Sequence, residues 1–260
     1  MDYGSKWQPY VNRLRKQKRD LSNFRSDPWI SKGFGDAHVV TPLYTGARAV
    51  INSALKALGL LDWHEQLAEN WHNQWQKQRA KNYTSQYGNL VQYLPPDTIG
   101  CGCQDTFKAW DKEWSCLYMD MFLRIMKAER EVSLMDIDTV MEIGGGFGVN
   151  ADLLTYRHSN IKRYTLIDIP EVLDVAEYYL KRTSAFPFTY IEPPDVLLAG
   201  EHDLVWNAAS FQEMPEKWIR YYKAQIERLS PKHIVLFGGP ENMDGFNFWE
   251  LFPEAITFRL

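Results

Sequence analysis

The chain has 260 residues, 45% of them apolar and 24% charged, with a formal net charge of -4. That length buries a sizeable core, either as one α/β domain with a helical addition or as two small domains. The acidic balance argues against a general nucleic-acid binder, which needs a basic face to neutralise phosphates. With no long apolar run and no signal-like stretch at the N-terminus, the expectation is a soluble, cytoplasmic protein that neither spans nor enters a membrane.

Ten Trp, fourteen Tyr and thirteen Phe are many rings for a core of this size, which suits either a bulky interior or an aromatic-lined cleft. Residues 1–45 are rich in Gly, Pro, Ser and charge, and their apolar positions keep no sustained period, so this stretch reads as an irregular or short-helical arm. Its basic run, Arg13 to Arg19, reads as a solvated face. From Gly46 the pattern changes. Val50, Ile51, Ala54, Leu55, Leu58 and Leu61, then Trp63, Leu67, Trp71 and Trp75, recur at helical spacing and predict two helices broken near Gly59. A loop with Pro95, Pro96, Gly100 and Gly102 follows, and a further helix is expected from about Thr106 to Glu131. Residues 46–135 thus read as a helical cap that forms an acceptor pocket, with Trp63, Trp71, Trp75, Tyr83, Tyr87 and Tyr93 available to line it. Cys101, Cys103 and Cys116 read as free thiols, because the CGC spacing matches no usual zinc knuckle and no paired ligands complete a site; no metal is expected.

After Asp136 short β-rich runs alternate with helical ones: TVMEIG and NADLLTYRH, YTLIDI and EVLDVAEYYLKR, FTYIE, DLVWNA and PEKWIRYYKAQIERL, then HIVLFGG and AITFRL. This alternation predicts a doubly wound, mostly parallel α/β sheet over residues 136–260, with its ligand at the carboxyl ends of the strands. The first of these turns, EIGGGFGVN, is glycine-rich. Gly144 and Gly146 fill two places of the dinucleotide fingerprint G-x-G-x-x-G, but Val149 stands in the third, and the spacing present is Glu142, Gly144, Gly146, Gly148. The glycines alone leave a dinucleotide, a phosphate and another nucleoside cofactor open.

Later strand ends add to this. Asp168, twenty residues beyond Gly148, is a carboxylate that can accept both ribose hydroxyls of an adenosine. Asp195 and Val196 could meet the amine and face of an adenine, and Asn207 reaches the same edge. Each also has a structural alternative, since Asp168 and Asp195 could cap a helix or a turn.

With these residues in view, the region from 137 to 240 resembles the class I S-adenosylmethionine-dependent methyltransferases. EIGGGFG is similar to their first motif, LID to their ribose-binding acid, and PDV to their adenine contact. EIGGGFG with LIDIPEVLDVAEYYL and SFQEMP further resembles bacterial sugar O-methyltransferases. The resemblance implies a Rossmann-like fold, S-adenosylmethionine as cofactor, and a cofactor site built from Glu142, Gly144, Gly146, Gly148, Asp168, Ile169, Asp195, Val196 and Asn207. It implies methyl transfer to a hydroxyl of a sugar or natural product, a small-molecule acceptor; a homo-oligomer is compatible with it. Glu213, just past the fourth strand, is the candidate general base, with Ser210 and Gln212 to orient the acceptor and His64 and His72 as rivals. The family's antiparallel seventh strand has no counterpart here. A non-catalytic methyltransferase-like scaffold subunit is the alternative, and an NAD-dependent oxidoreductase is disfavoured.

Overall fold

The computed structural model describes residues 4–16, 20–27, 30, 34, 77–78, 80–85, 88–95, 100–103, 105–242 and 244–259. The helices expected near Gly59, with His64, His72, Trp63, Trp71 and Trp75, lie outside the described residues, as does Tyr87. Residues 77–78 and 80–85 are helical.

Helix α1 spans Gly4–Lys16 within the stretch expected to be irregular or short-helical. The expected helix from Thr106 to Glu131 is corrected: a two-stranded hairpin, β1 (Thr106–Ala109) and β2 (Lys112–Ser115), comes first, and the helix, α2, covers only Cys116–Ala128. The cause is local. Trp110 and Asp111 both take left-handed backbone angles (φ 51° and 58°), the geometry of a tight two-residue hairpin turn, which no helix accommodates. Phe107 then faces Trp114 across the pair, and Ser115 caps α2 by accepting from the Tyr118 N–H.

A six-stranded sheet follows, made of β3 (Thr139–Ile143), β4 (Arg163–Ile167), β5 (Thr189–Ile191), β6 (Leu204–Ala208), β7 (His233–Phe237) and β8 (Ile256–Phe258). Its order is β5-β4-β3-β6-β7-β8 and every pairing is parallel. The crossovers are α3 (Val149–Arg157), α4 (Pro170–Thr183) and α5 (Glu216–Leu229), with a 3-10 turn at Pro193–Ala199 between β5 and β6. Alternation along the strands divides the interior in two. Val140, Tyr164, Leu166, Leu204, Trp206, Val235 and Phe237 share one core with α2, α3 and α4. Met141, Ile143, Ile167, Val205, Ile234 and Leu236 share the other with α5 and the 3-10 turn Phe248–Leu251. The sheet is therefore α/β and doubly wound, as the alternation of runs predicts. β8 pairs directly with β7, and among the described residues no antiparallel strand enters this sheet.

Because successive connections run outward in opposite directions from β3 and β6, the gap between those two strands is the switch point where such sheets bind ligands. At the opposite, amino end the sheet is pinned by Asp203. Its Oδ2 accepts from the Asp138 N–H, the Thr139 N–H and the Thr139 hydroxyl at 2.9, 2.9 and 3.0 Å. Burial pushes this carboxyl up, but the bonds from Lys232, Thr139 and the two backbone N–H groups outweigh it and hold the pKa at about 2. Replacing Asp203 by Ala leaves two strand N–H groups without their acceptor and is expected to cost about 2 kcal/mol at pH 7 by urea denaturation. A group with a lowered folded-state pKa stabilises above its unfolded value, so the deficit should shrink as the pH falls from about 4 towards 2.

Candidate functional site

At the switch point β3 and β6 diverge: their register ends at Glu142 and Trp206. The Ile143 carbonyl just beyond is taken over by side chains, accepting from Asn207 Nδ2 and from Ser210 Oγ, each at 2.9 Å. Asn207 also donates to Ser210 Oγ and accepts from the Phe211 N–H at 3.3 Å. These bonds set Ser210 against Gly144, where a Cβ would overlap both side-chain atoms of the serine. With φ at +72°, position 144 suits glycine on two counts. Gly148 is the second such position. It opens α3 at φ +95°, and a Cβ there would lie 2.7 Å from Leu180. It lets helix and sheet pack closely, the job that the third fingerprint glycine does one residue later in dinucleotide folds.

Between them Phe147 turns inward and is 2% exposed. Its ring meets Phe24, Phe34 and Tyr179 edge-on at 5.2, 5.5 and 4.9 Å, and the Arg25 guanidinium lies 5.2 Å from its centre. Arg25 is itself 1% exposed, packed also on Tyr118 and Tyr179. Tyr118 donates to Asp152 Oδ2 at 2.5 Å and accepts from the Tyr179 hydroxyl at 2.5 Å. The loop is thus plugged into a buried aromatic and ionic cluster contributed by the segment around Phe24, α2, α3 and α4.

The acids stand as follows. Glu142 lies beneath the loop, fully buried on the sheet face that carries Val140 and Trp206. Its Oε1 accepts from Asn150 Nδ2 and its Oε2 from the Tyr164 hydroxyl, both at 2.8 Å. Burial pushes its carboxyl up from 4.5 to about 7, with the two hydrogen bonds opposing. Asp168, partly exposed at the end of β4, accepts from the Ile169 N–H (2.8 Å) through Oδ1 and from the Gly146 N–H (3.1 Å) through Oδ2. Desolvation raises it to about 7; the two N–H groups oppose this, and the charges of Glu142 and Glu213 add to it. Ile169 is the N-cap residue of α4. Glu213 closes the 3-10 turn Phe211–Glu213 after β6, and its Oε2 accepts from the Trp7 indole N–H at 3.1 Å. Trp7 also faces Phe34, whose ring carbon lies 3.5 Å from where a Gly146 Cβ would be.

Glu142, Gly144, Gly146, Gly148, Asp168, Ile169, Asn207 and Glu213 therefore gather at one place. Val196 is fully buried in the core shared with Ile143 and Ile167, while its neighbour Asp195 is exposed in the turn after β5. Ser210 and Gln212 serve the backbone: Gln212 Oε1 accepts from the Gly239 N–H at 3.1 Å. Tyr83 is buried and bonded to Asp120, and Tyr93 is exposed. His158 and His202 are bound to Glu129 and Thr165, away from the loop. No group of three or more potential metal ligands occurs among the described residues. Three contributors were not visible in the sequence: Trp7, Phe34 and Arg25. They come from a stretch whose apolar positions keep no period, so no local signal marked them.

No protein-family model matches the sequence, and no curated protein matches it. Among solved structures the chain is similar to the methyltransferase domain of a bacterial Hen1, at 16% identity and a TM-score of 0.39 over 46% of this chain and 65% of that one. Human N-acetylserotonin methyltransferase, solved with S-adenosylmethionine, gives 20% identity and 0.37 over 46% of this chain and 35% of that one. Magnesium protoporphyrin IX methyltransferase from Synechocystis, solved with S-adenosylhomocysteine, gives 14% and 0.34 over 43% and 51%. In each case the match spans less than two thirds of the other chain. Likenesses this distant identify no family, and what the site can do follows from its own atoms.

The buried carboxyl under the loop generates a prediction. A folded-state pKa raised to about 7 means that the folded protein keeps a proton the unfolded chain has lost. Stability therefore falls as pH rises from about 4.5 to about 7. Glutamine at 142 can still accept from Tyr164 and can donate to Asn150 Oδ1, which has no hydrogen-bond partner, once that amide flips. Glu142→Gln is expected to raise stability at pH 8 by about 1–3 kcal/mol and by much less at pH 5, read by urea denaturation at the two pH values.

Proposed function

We propose that the chain is an S-adenosylmethionine-dependent methyltransferase that methylates a hydroxyl of a sugar or sugar-bearing natural product. The observation that supports this over a dinucleotide enzyme is the sign of the site. Glu142, Asp168 and Glu213 surround the glycine loop closely enough that the other two make Asp168 harder to ionise. A pyrophosphate would bring more negative charge to that place, whereas S-adenosylmethionine is a net cation with sulfonium and ammonium groups. The sheet order does not decide between them, since β5-β4-β3-β6-β7-β8 equally suits a dinucleotide fold.

The residues fit the cofactor part by part. Gly144, Gly145 and Gly146 are partly exposed, and their bare backbone is assigned to the ribose and the methionine tail. Asp168, fixed by the Gly146 and Ile169 N–H groups, offers acceptors for the ribose hydroxyls. The first turn of α3 presents backbone N–H groups to a carboxylate. Asp195, exposed in the turn after β5, is assigned to the adenine, whereas Val196 is buried in the core and offers it no face. When bound, the cofactor supplies a methyl group on a positively charged sulfur.

The chain's own part is to orient and to deprotonate. Holding the acceptor oxygen in line with the methyl–sulfur bond can supply about 7–11 kcal/mol of the barrier. A hydroxyl is a weak nucleophile, and a positioned carboxylate contributes roughly 10²–10⁴ in rate by accepting its proton. Glu213 is assigned that role; it takes the proton as the new oxygen–carbon bond forms. Glu142 has both oxygens engaged below the loop, so in this reading it supports the loop and tunes its charge rather than touching the acceptor.

Calorimetric titration tests the reading. S-adenosylmethionine and S-adenosylhomocysteine should bind and NAD should not; binding of NAD alone would overturn it. Asp168→Ala should weaken cofactor binding about 10–100-fold, the worth of hydrogen bonds to a charged acceptor. Because the Asp168 carboxyl titrates at about 7 and its charged form accepts the ribose hydroxyls, affinity for S-adenosylmethionine should rise about tenfold between pH 6 and pH 8.

A further inference from the structure

Two residues far apart in sequence meet at the mouth of this site. The Trp7 indole N–H donates to Glu213 Oε2 at 3.1 Å. The helix that carries Trp7 is tied down a second time by Arg15, whose Nε lies 2.6 Å from Oε1 of Glu171 in the first turn of α4, three residues past Asp168. Between the two ties the Trp7 ring packs on Phe34 and Tyr10, with centroids at 6.2 and 5.5 Å, and Phe34 in turn covers Gly146. Glu213 sits at the carboxyl end of β6 and Asp168 at that of β4, on either side of the loop, and the charge of one is felt by the other.

A methyl donor and its demethylated product differ mainly in one charge. A site that holds the ribose and the amino-acid tail grips both molecules equally, so transfer leaves a tightly held product unless something near the sulfur senses that charge. An ionised carboxylate attracts a desolvated cation strongly and gains little from a neutral thioether.

We propose that Glu213, held by the Trp7 indole, reads the positive charge of the methyl donor, so that this site binds the sulfonium donor more tightly than the neutral thioether left after transfer. This rests on the methyltransferase reading. Trp7 is here a positioning residue: its N–H fixes the carboxylate. If Glu213 also takes the acceptor's proton, the carboxylate loses its charge in the same step in which the sulfur loses its own, and neither remains to hold the product.

The test needs no acceptor. Affinities of the full chain for S-adenosylmethionine, S-adenosylhomocysteine and sinefungin, which carries an ammonium where the donor has its sulfonium, are measured by calorimetry at pH 8. Glu213→Gln preserves an acceptor for the Trp7 N–H. It should weaken S-adenosylmethionine and sinefungin about tenfold, the effect of a partly screened charge, and leave S-adenosylhomocysteine within about twofold. Trp7→Phe, which keeps a ring and removes the N–H, should lower the same preference about threefold. Equal losses for all three ligands would mean that the pair merely shapes the pocket, and no change in any would mean that it lies outside; either overturns the proposal. Should Glu213→Gln fail to fold, the wild-type protein decides: donor affinity must fall with added salt more steeply than product affinity, and parallel slopes reject the charge-reading role. Wild-type protein that binds neither sulfur compound overturns the methyltransferase reading itself, a result distinct from binding both without preference.

Discussion

The carbonyl of Ile143 is where the site begins. Two parallel strands that part company leave a strong acceptor with no strand N–H to satisfy it, and a buried carbonyl must find a partner. Asn207 and Ser210 supply it, and in doing so they fix the first residues beyond β6. Once Ser210 is placed, Gly144 can carry no side chain, and Glu213 follows one short turn later at the same edge. A divergence of strands, common to every sheet of this topology, is thus turned into a specific arrangement of a glycine, a serine and an acid.

The loop's other end is fixed by bulk. Phe147 points into the protein while Gly144, Gly145 and Gly146 before it stay partly exposed, so one residue anchors what its neighbours leave open. The anchor is lined partly by Phe24, Arg25 and Phe34, which belong to the N-terminal stretch. The chain before the sheet domain is therefore part of the glycine loop's support, and the division at residue 135 drawn from sequence texture marks a change in local pattern rather than a boundary between independent cores: Leu14, Phe24 and Phe122 share one hydrophobic cluster with Val140 and Leu166.

Much of the sheet was legible because parallel strands buried on both faces must be apolar runs, and β3, β4, β6 and β7 are such runs between helical stretches. That the glycine loop, Asp168 and Glu213 meet at one edge was legible for a related reason, since each follows a strand of the same parallel sheet. The hairpin was not. Trp110 and Asp111 are poor advertisements for a turn that favours Asn-Gly, and Trp110 with Trp114 four residues on imitates a helical stripe. Nor could the sequence say which way Glu142 faces: its place next to the glycines suggests the ligand, whereas strand alternation turns it under the loop beside Tyr164 and Asn150. The use of Trp7 depends on a contact spanning 206 positions, which no local pattern encodes.

The chain of hydroxyls that joins Tyr179 through Tyr118 to Asp152, with Arg25 stacked on both rings, has a consequence for how this protein can change over time. Loss of the Asp152 carboxylate or of either hydroxyl leaves a buried polar partner unpaired, and loss of Arg25 bares the two rings it covers. Replaced together by apolar residues of similar volume, they could leave the fold intact. In descendants of this sequence these positions should therefore drift together, and a relative that has lost Asp152 should be expected to have lost the Tyr118 hydroxyl as well.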